Sequence, residues 1–252
     1  MPSGGGHTLT GAMARAIILA GGLGTRLRPY TTVLPKPLMP VGDRPILDIV
    51  LRQLHRDGFR RITITTGYLA ELIEAFFRDG EAYDLQIGYF REETPLGTVG
   101  ALSLIDGLDE DFLVMNGDVL TDLDYAGLLE HHKVSGAAAT IAAHTRDVEI
   151  SLGVMRFEDP SDQTKLTDYV EKPTLTYQAS MGVYCFSPRV LPYIEPNVRL
   201  DFPDLVLRLI AAGEEVRAWP SQDFWLDIGR PEDYEQAQDE FERLRSRFIP
   251  DG

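Results

Sequence analysis

From Ala16 onward the chain alternates short apolar runs with stretches whose apolar residues recur at helical spacing. "RAIILA" is a short β-branched run that reads as a strand. "PILDIVLRQLHRDG" places Ile46, Ile49, Val50 and Leu54 on one face of a helix that Gly58 stops. "RITITTG" predicts a strand, "LAELIEAFFRDG" a helix ended by Gly80, and "LQIGYF" a strand. "DFLVMNGD" predicts another strand and "LDYAGLLEHHK" a helix. Strands alternating with helices predict parallel pairing with helices on the sheet faces. A strand as continuously apolar as "FLVM" fits burial on both sides. After Ser135 the rhythm changes. "AAATIAAHT", "LGVMRF", "KLTDYVEKP" and "MGVYCF" read mostly as strands, and helices return at "FPDLVLRLIAAG" and "PEDYEQAQDEFERLRSRF".

The totals narrow the function classes. The 252 residues suffice for one large α/β domain or two small ones, and a hydrophobic share of 44% provides a sizeable core. A net charge of -15 lacks the basic footprint of a nucleic-acid binder, so no nucleic-acid partner is expected. An anionic ligand must be held by a few placed cations. The single cysteine, Cys185 in "VYCF", is expected to be a buried, inert thiol. With no second cysteine for a disulfide, a cytoplasmic location fits. No apolar run approaches the ~18 residues of a membrane span, so no membrane association is expected. "MPSGGGHTLTGA" has no apolar signal-peptide region. Residues 1–13 read as a disordered leader, with Met13 an alternative start, and 14–252 as one domain.

The candidate chemistry starts at Gly21, Gly22 and Gly24, directly after the first apolar run. Glycines behind a buried strand can bring backbone N–H groups close to a phosphate, although the same pattern also serves a tight turn. A Rossmann fingerprint fails at Leu27, and no G-x-x-x-x-G-K loop is present. Arg26 follows, and Lys36 lies between Pro35 and Pro37. A pre-proline residue is pushed to extended geometry, so Lys36 is expected on a stiff, extended stalk that aims a point charge. "VEKP" repeats the device with Glu171 and Lys172, which could equally be a strand-end ion pair. Asp118, in "NGD", follows a buried strand, where ligands of parallel sheets bind. Asp122 or Asp124 is the better helix cap, which frees Asp118. Asp227, inside the apolar "FWLDIG", needs a partner. It is either a hydrogen-bonded structural residue or, with Asp118, a ligand of a hard cation such as Mg2+. His131 and His132 read as a solvated helix face. The charged C-terminal helix is expected to pack on the domain or to serve a homo-oligomer contact.

Taken in order, "LAGGLGTRLRPYTTVLPKPLMPV", "NGDVL", "EKP", "MGVY" and "WLDIGRPEDY" resemble the motifs of sugar-1-phosphate nucleotidyltransferases, from about Arg15 to Tyr234. The resemblance implies an α/β fold, a doubly wound three-layer α/β/α sandwich with a mixed, mostly parallel sheet. Residues from about 14 to 135 would form the nucleotide half and about 136 to 252 the sugar-phosphate half. It implies transfer of a nucleotidyl group from a nucleoside triphosphate to a sugar 1-phosphate, with Mg2+ as cofactor. Leu19, Ala20, Gly21, Gly22, Gly24 and Thr25 would line the nucleotide. Arg26, Lys36 and Asp118 would be catalytic, with Arg26 also on the triphosphate. Gly97 and Thr98 would lie near the base. Gly117, Glu171, Lys172 and Gly182 would hold the sugar phosphate, and Asp118 and Asp227 the metal. "PLGTVGAL" lacks the glutamine of thymidylyltransferases and is similar to the loop of mannose-1-phosphate guanylyltransferases, which implies GTP. Ser180-Met181-Gly182 departs from the Asn-Ala-Gly common in those enzymes, which leaves glucose or a heptose beside mannose. Thymidylyl or uridylyl transfer to glucose 1-phosphate is the alternative. A catalytically silent regulatory subunit is the rival from another class, and the presence of every charged site residue opposes it.

Overall fold

The computed structural model describes residues 14–159 and 161–249, so the predicted leader at 1–13, with Met13, lies outside the described residues. The elements follow the predicted rhythm. β1 (Ala14–Ala20) runs into a long loop built of short 3-10 turns, and β2 (Pro40–Val41) and β3 (Arg44–Pro45) form a small ladder. Then come α1 (Ile46–Arg56), β4 (Phe59–Thr66), α2 (Ala70–Phe77), β5 (Gln86–Arg91), β6 (Phe112–Asn116), β7 (Val119–Thr121) and α3 (Tyr125–Ser135). The strand-rich part supplies β8 (Ala139–Glu149), β9 (Val154–Phe157), β10 (Leu166–Val170) and β11 (Thr174–Phe186). The chain closes with α4 (Phe202–Ala211), β12 (Val216–Ser221), β13 (Trp225–Asp227) and α5 (Pro231–Phe248).

Seven strands form one sheet in the order β12-β8-β11-β6-β1-β4-β5. β11 is antiparallel to both neighbours, and every other pair is parallel. The pleat divides β1 between two cores. Ala16, Ile18 and Ala20 face α1, α2 and α3, where they meet Leu47, Val50, Leu54, Ile73 and Leu128. Ile17 points the other way, into a cluster with Val114, Phe186, Leu205 and Leu209 that includes α4. Helices therefore cover both faces, the mixed, mostly parallel α/β sandwich that the resemblance implied. Cys185 is fully buried in the first core, and desolvation pushes its thiol well above the usual range.

A third cluster joins the start of α1 to α5, through Met39, Val41, Ile46, Ile49, Phe241 and Phe248. Gln53, 1% exposed, fastens it: its Nε2 donates to the carbonyls of Thr121 (2.8 Å) and Phe248 (3.1 Å). The C-terminal helix thus packs on the domain, the first of the two roles expected of it. Among the described residues no helix is long and apolar enough to cross a membrane.

Three expectations change in detail. α2 ends at Phe77 rather than at Gly80, because Arg78 leaves the helix at φ 50 and Gly80 N–H closes a turn on the Phe77 carbonyl (3.1 Å). β12 and β13, both unpredicted, arise from "VRAWPS" and "WLD". β12 is an edge strand and so tolerates Pro220. The histidines are not a solvated face. His132 is 1% exposed with Nδ1 2.7 Å from the Thr140 hydroxyl, and the His131 ring lies edge-on to Trp219.

Burial lowers the His132 pKa below the ordinary 6.5, against the opposing pull of Asp111 and with help from Arg189, His131 and Lys133. The fold therefore favours the neutral imidazole. A depressed folded pKa contributes stability that is complete above the unfolded value and is lost as pH falls below about 6.5. Replacing His132 with Gln should flatten the fall in melting temperature between about pH 6.5 and 5, relative to the parent. An unchanged slope would show that other groups carry that pH dependence.

Candidate active site

A cavity of about 510 Å³ opens at the carboxyl ends of β1 and β6, within the size range of small-molecule sites. Most of the sequence-predicted residues line it. Leu19, Ala20, Gly21, Gly22, Gly24, Thr25 and Arg26 line it, as do Lys36, Gly97, Thr98, Gly117 and Asp118. A larger, more open hollow of about 630 Å³ lies on the edge strand β5, where Asp79, Glu81 and Asp84 meet Arg60. Its acidic wall is poorly suited to a phosphate.

The glycine loop does not lead straight into an α-helix. A 3-10 turn, Thr25–Leu27, follows it, and α1 begins only at Ile46. Gly24 needs its αL backbone (φ 58): Leu27 N–H and the Thr31 hydroxyl both donate to its carbonyl (3.0 and 2.8 Å). Around Gly22 no atom lies within 4 Å of where a Cβ would sit, so this stretch of backbone is open to a ligand.

Lys36 differs from the extended stalk expected. It begins a 3-10 turn in which Leu38 N–H donates to the Pro35 carbonyl (2.8 Å) and Met39 N–H to the Lys36 carbonyl (3.0 Å). Those bonds outweigh the pre-proline preference and leave the residue just as rigid. Its side chain, 9% exposed, donates to Asp118 Oδ2.

Asp118 and Asp227 come together through backbone pairing. β13 runs antiparallel to β7, with Asp227 opposite Val119, and Ile228 N–H donates to the Asp118 carbonyl (3.3 Å). Asp124, one of the two residues expected to cap α3, does so, accepting from Gly127 N–H (2.8 Å). Asp122 accepts from Phe224 N–H (2.8 Å) and pairs with Arg247. Asp118 is thus free for the site. Burial and then the Asp118 charge push the Asp227 carboxyl up, while Lys36 and Arg26 pull it down. A Cβ on Gly229 would lie 3.2 Å from Asp227 Oδ2 and 3.3 Å from Arg26 Nη1, so Arg26 reaches the same spot.

The site's fit to a divalent cation can be tested on its atoms. Asp118 Oδ1 is buried with no hydrogen-bond partner, and a second carboxylate stands beside it. Hard oxygens of this kind suit Mg2+. Among the described residues no group of three or more His, Cys, Asp or Glu side chains gathers to hold a metal, so ligand oxygens must complete any coordination shell.

Four predicted residues fall outside the lining. Asp227 adjoins it through Asp118 and Gly229. Glu171 and Lys172 occupy an exposed turn between β10 and β11, Lys172 with φ 46. Gly182 is buried at φ 72, and a Cβ there would lie 2.7 Å from Asn116 Nδ2. The space it leaves is filled by Asn116, which does line the cavity. Gly97 (φ 79) behaves similarly, since a Cβ would lie 2.5 Å from the Leu200 carbonyl. Thr98 docks α4, accepting from Phe202 N–H (2.6 Å) and donating its own N–H to Asp201 (3.1 Å).

Sequence reasoning missed Thr65, Glu92, Asn116, Arg199, Asp201 and Gly229, all on the lining. Glu92 and Asn116 stand at the carboxyl ends of β5 and β6, the positional signal that had found Asp118. Arg199 and Asp201 arrive through tertiary docking and carry no local signal.

The sequence matches the nucleotidyl transferase family over residues 15–243. It is 35% identical over 243 residues to a UTP–glucose-1-phosphate uridylyltransferase of Synechocystis sp., covering 88% of this chain and 62% of that protein. It is 35% identical over 228 residues to a probable mannose-1-phosphate guanylyltransferase 1 of Oryza sativa subsp. japonica, covering 87% and 62%. The chain thus spans 62% of the length of these relatives. Among solved structures, a putative glucose-1-phosphate thymidylyltransferase from Bacillus anthracis superposes with a TM-score of 0.73 at 24% identity, over 96% of this chain and 98% of that one. HddC from Yersinia pseudotuberculosis, complexed with GMP-PN, does so with a TM-score of 0.69 at 27% identity, over 91% and 100%. Proteins of the family generally use a divalent metal.

The packing of Gly182 generates a prediction. Gly182→Ala forces a side chain into positive φ and against Asn116, and should cost about 1–3 kcal/mol of stability in urea denaturation. Asn116→Ala in the same chain should recover part of that loss. Strict additivity of the two changes would contradict the contact.

Proposed function

The chain belongs to the nucleotidyl transferase family, and on that premise we propose that it transfers a nucleotidyl group from a nucleoside triphosphate to a sugar 1-phosphate. The observation that carries this reading is the meeting, on one cavity, of an open glycine backbone, the cations Arg26 and Lys36 and the carboxylate Asp118, with Asp227 adjoining it. An oxygen of the sugar phosphate attacks the α-phosphorus. The bond from phosphorus to the bridging oxygen breaks, and pyrophosphate leaves with the electron pair. No covalent intermediate with the protein is needed, so the residues position the reactants and balance charge.

In this reading the backbone around Gly21 and Gly22 approaches the triphosphate, and Arg26 binds its phosphates and the departing pyrophosphate. Lys36 exchanges its bond to Asp118 for a phosphate oxygen at the reacting centre. Asp118 and Asp227 hold Mg2+, which when bound neutralises phosphate charge. Gly97 and Thr98 shape the base end by holding the 200–202 segment in place. Asn116, with Gly117 and Gly182, borders the sugar. Glu171 and Lys172 belong to the sugar-phosphate side, carried on their exposed turn. Residues 14–252 act as one domain, with the nucleotide half from about 14 to 135 and the sugar-phosphate half after it. A homo-oligomer and a cytoplasmic location belong to the same proposal.

GTP is the preferred triphosphate in this proposal, with a hexose or heptose 1-phosphate as acceptor. The guanylyltransferase relatives and the GMP-PN complex of HddC support it. The uridylyltransferase of Synechocystis, equally identical, supports UTP with glucose 1-phosphate as the second reading.

Removing either metal-binding carboxylate should leave a folded protein with little turnover. Asp118→Asn and Asp227→Asn are each expected to lower kcat by ~10²-fold or more, the scale of losing one key electrostatic contact. Near-normal rates at saturating Mg2+ would remove the residue concerned from the site.

The substrates are settled by pyrophosphate release over a matrix of GTP, UTP, dTTP, CTP and ATP against mannose, glucose and heptose 1-phosphates. GTP should give the highest kcat/KM. If UTP or dTTP exceeds it by about tenfold, ~1.4 kcal/mol at the transition state, the guanylyl reading is wrong and the transferase reading stands. Absence of pyrophosphate release with every pair would overturn the transferase reading itself.

A further inference from the structure

β11 loses its register at Met181 and Gly182. Toward β8, Ser180 pairs with Ala143 and Tyr184 with Ile141, so three residues of β11 stand against one of β8. Toward β6, pairing begins only at Val183. Met181 and Gly182 therefore belong to neither ladder, and Met181 is fully buried. A buried carbonyl outside a ladder needs another donor. The indole of Trp225 supplies it, since Nε1 donates to the Met181 carbonyl (2.8 Å).

Trp225 stands two residues before Asp227 on β13. Alternate residues of a strand share a face, and so do residues directly opposite in an antiparallel ladder. Trp225 and Asp227 thus share one face of the β7–β13 ladder with Thr121 and Val119, while Leu120 and Leu226 point the other way, into the cluster of α5. Val119 touches the same interruption of β11, because its Cγ2 lies 3.5 Å from where a Cβ on Gly182 would sit. The ladder that carries Asp227 therefore rests on Met181 and Gly182 at two points, the indole and Val119. The indole is itself braced from β8. The His144 ring lies 5.9 Å from it between centroids, and the Arg146 guanidinium stands 5.7 Å over its ring.

We infer that Trp225 is a positioning residue: by holding the Met181 carbonyl it fixes the carboxylate of Asp227 relative to the interrupted part of β11, so that the metal and the sugar phosphate are placed by one rigid unit. The inference rests on the transferase reading above, in which Asp227 holds the metal and Gly182 borders the sugar. Without the indole N–H, a buried carbonyl is left unpaired and the two strands are free to shift against each other.

The test uses the full-length chain and Trp225→Phe, which keeps an aromatic ring and removes the donor. Mn2+ serves as the metal probe, counted by EPR in the presence of the α,β-methylene analogues of GTP and UTP, which cannot release pyrophosphate. The variant should bind Mn2+ about fivefold more weakly or worse and raise KM for mannose or glucose 1-phosphate by a similar factor, the scale of one unpaired buried acceptor. Calorimetric binding of the analogues without metal should stay at the parent level, and kcat should recover as Mg2+ and sugar phosphate are raised to saturation. If the indole only fills space, the variant will melt at a lower temperature with Mn2+ binding and KM unchanged, which overturns the inference. Equal weakening of metal, sugar phosphate and nucleotide overturns it too, as does a parent that binds no Mn2+ with either analogue. Should Trp225→Phe fail to fold, the benzothiophene analogue of tryptophan at 225, in a Trp219→Phe background, keeps the shape and lacks the N–H, and it must show the same split. Absence of pyrophosphate release with every substrate pair would sink the transferase, and the Mn2+ comparison would still judge Trp225.

Discussion

Two carboxylates that the sequence separates by much of the chain, Asp118 and Asp227, are held side by side where burial already disfavours the charge of Asp227. Like charges repel, and the chain offsets that repulsion by surrounding the pair. Lys36 closes on Asp118 from a rigid turn, and Arg26 reaches the side of Asp227 past Gly229. A short ladder between β7 and β13 fixes the two backbones in register, so the pair cannot relax by drifting apart. The prolines around Lys36, the glycine at 229 and the burial of Leu226 and Ile228 on either side of Asp227 all serve this one constraint.

The sheet explains how such an arrangement can be built. Parallel strands bring their carboxyl ends to one edge, so residues after β1, β5 and β6 meet there with no long-range planning of side chains. The antiparallel β11 lets the strand-rich part of the chain join the same sheet and places Gly182 behind Asn116. Several of the glycines that first look like ligand clearance are instead packing devices. Gly97 admits the Leu200 carbonyl and Gly182 admits Asn116, while Gly22 alone of the loop glycines faces open space.

This division shows what could be read from the sequence. β1, α1 and β6 were legible because their burial is periodic, and Asp118 was legible because it ends a buried strand. The rhythm failed where structure is set by partners. β13 is three residues long and exists because β7 is beside it. His132 looked like part of a charged helix surface, yet the sheet residue Thr140 draws it inward. Lys36 took a turn that its flanking prolines disfavour, because two backbone hydrogen bonds close there. Arg199 and Asp201 reach the cavity through the docking of α4 on Thr98, which no local pattern announces. Glu92 was within reach of the strand-end argument and was passed over because its neighbours, Arg91 and Glu93, make the segment look like ordinary charged surface.

The lone cysteine turns the fold into its own reporter. Cys185 lies in the middle of the sheet, paired through β11 with Leu113 of β6 on one side and Thr140 of β8 on the other, and its thiol is sealed from solvent. Its side chain stands on the sheet face covered by the first core, so a thiol reagent can reach it only when that core opens. With no other sulfhydryl in the chain to confuse the signal, the speed of labelling under native conditions counts how often that core breathes open. Any ligand that braces the sheet against it will register as a slower clock.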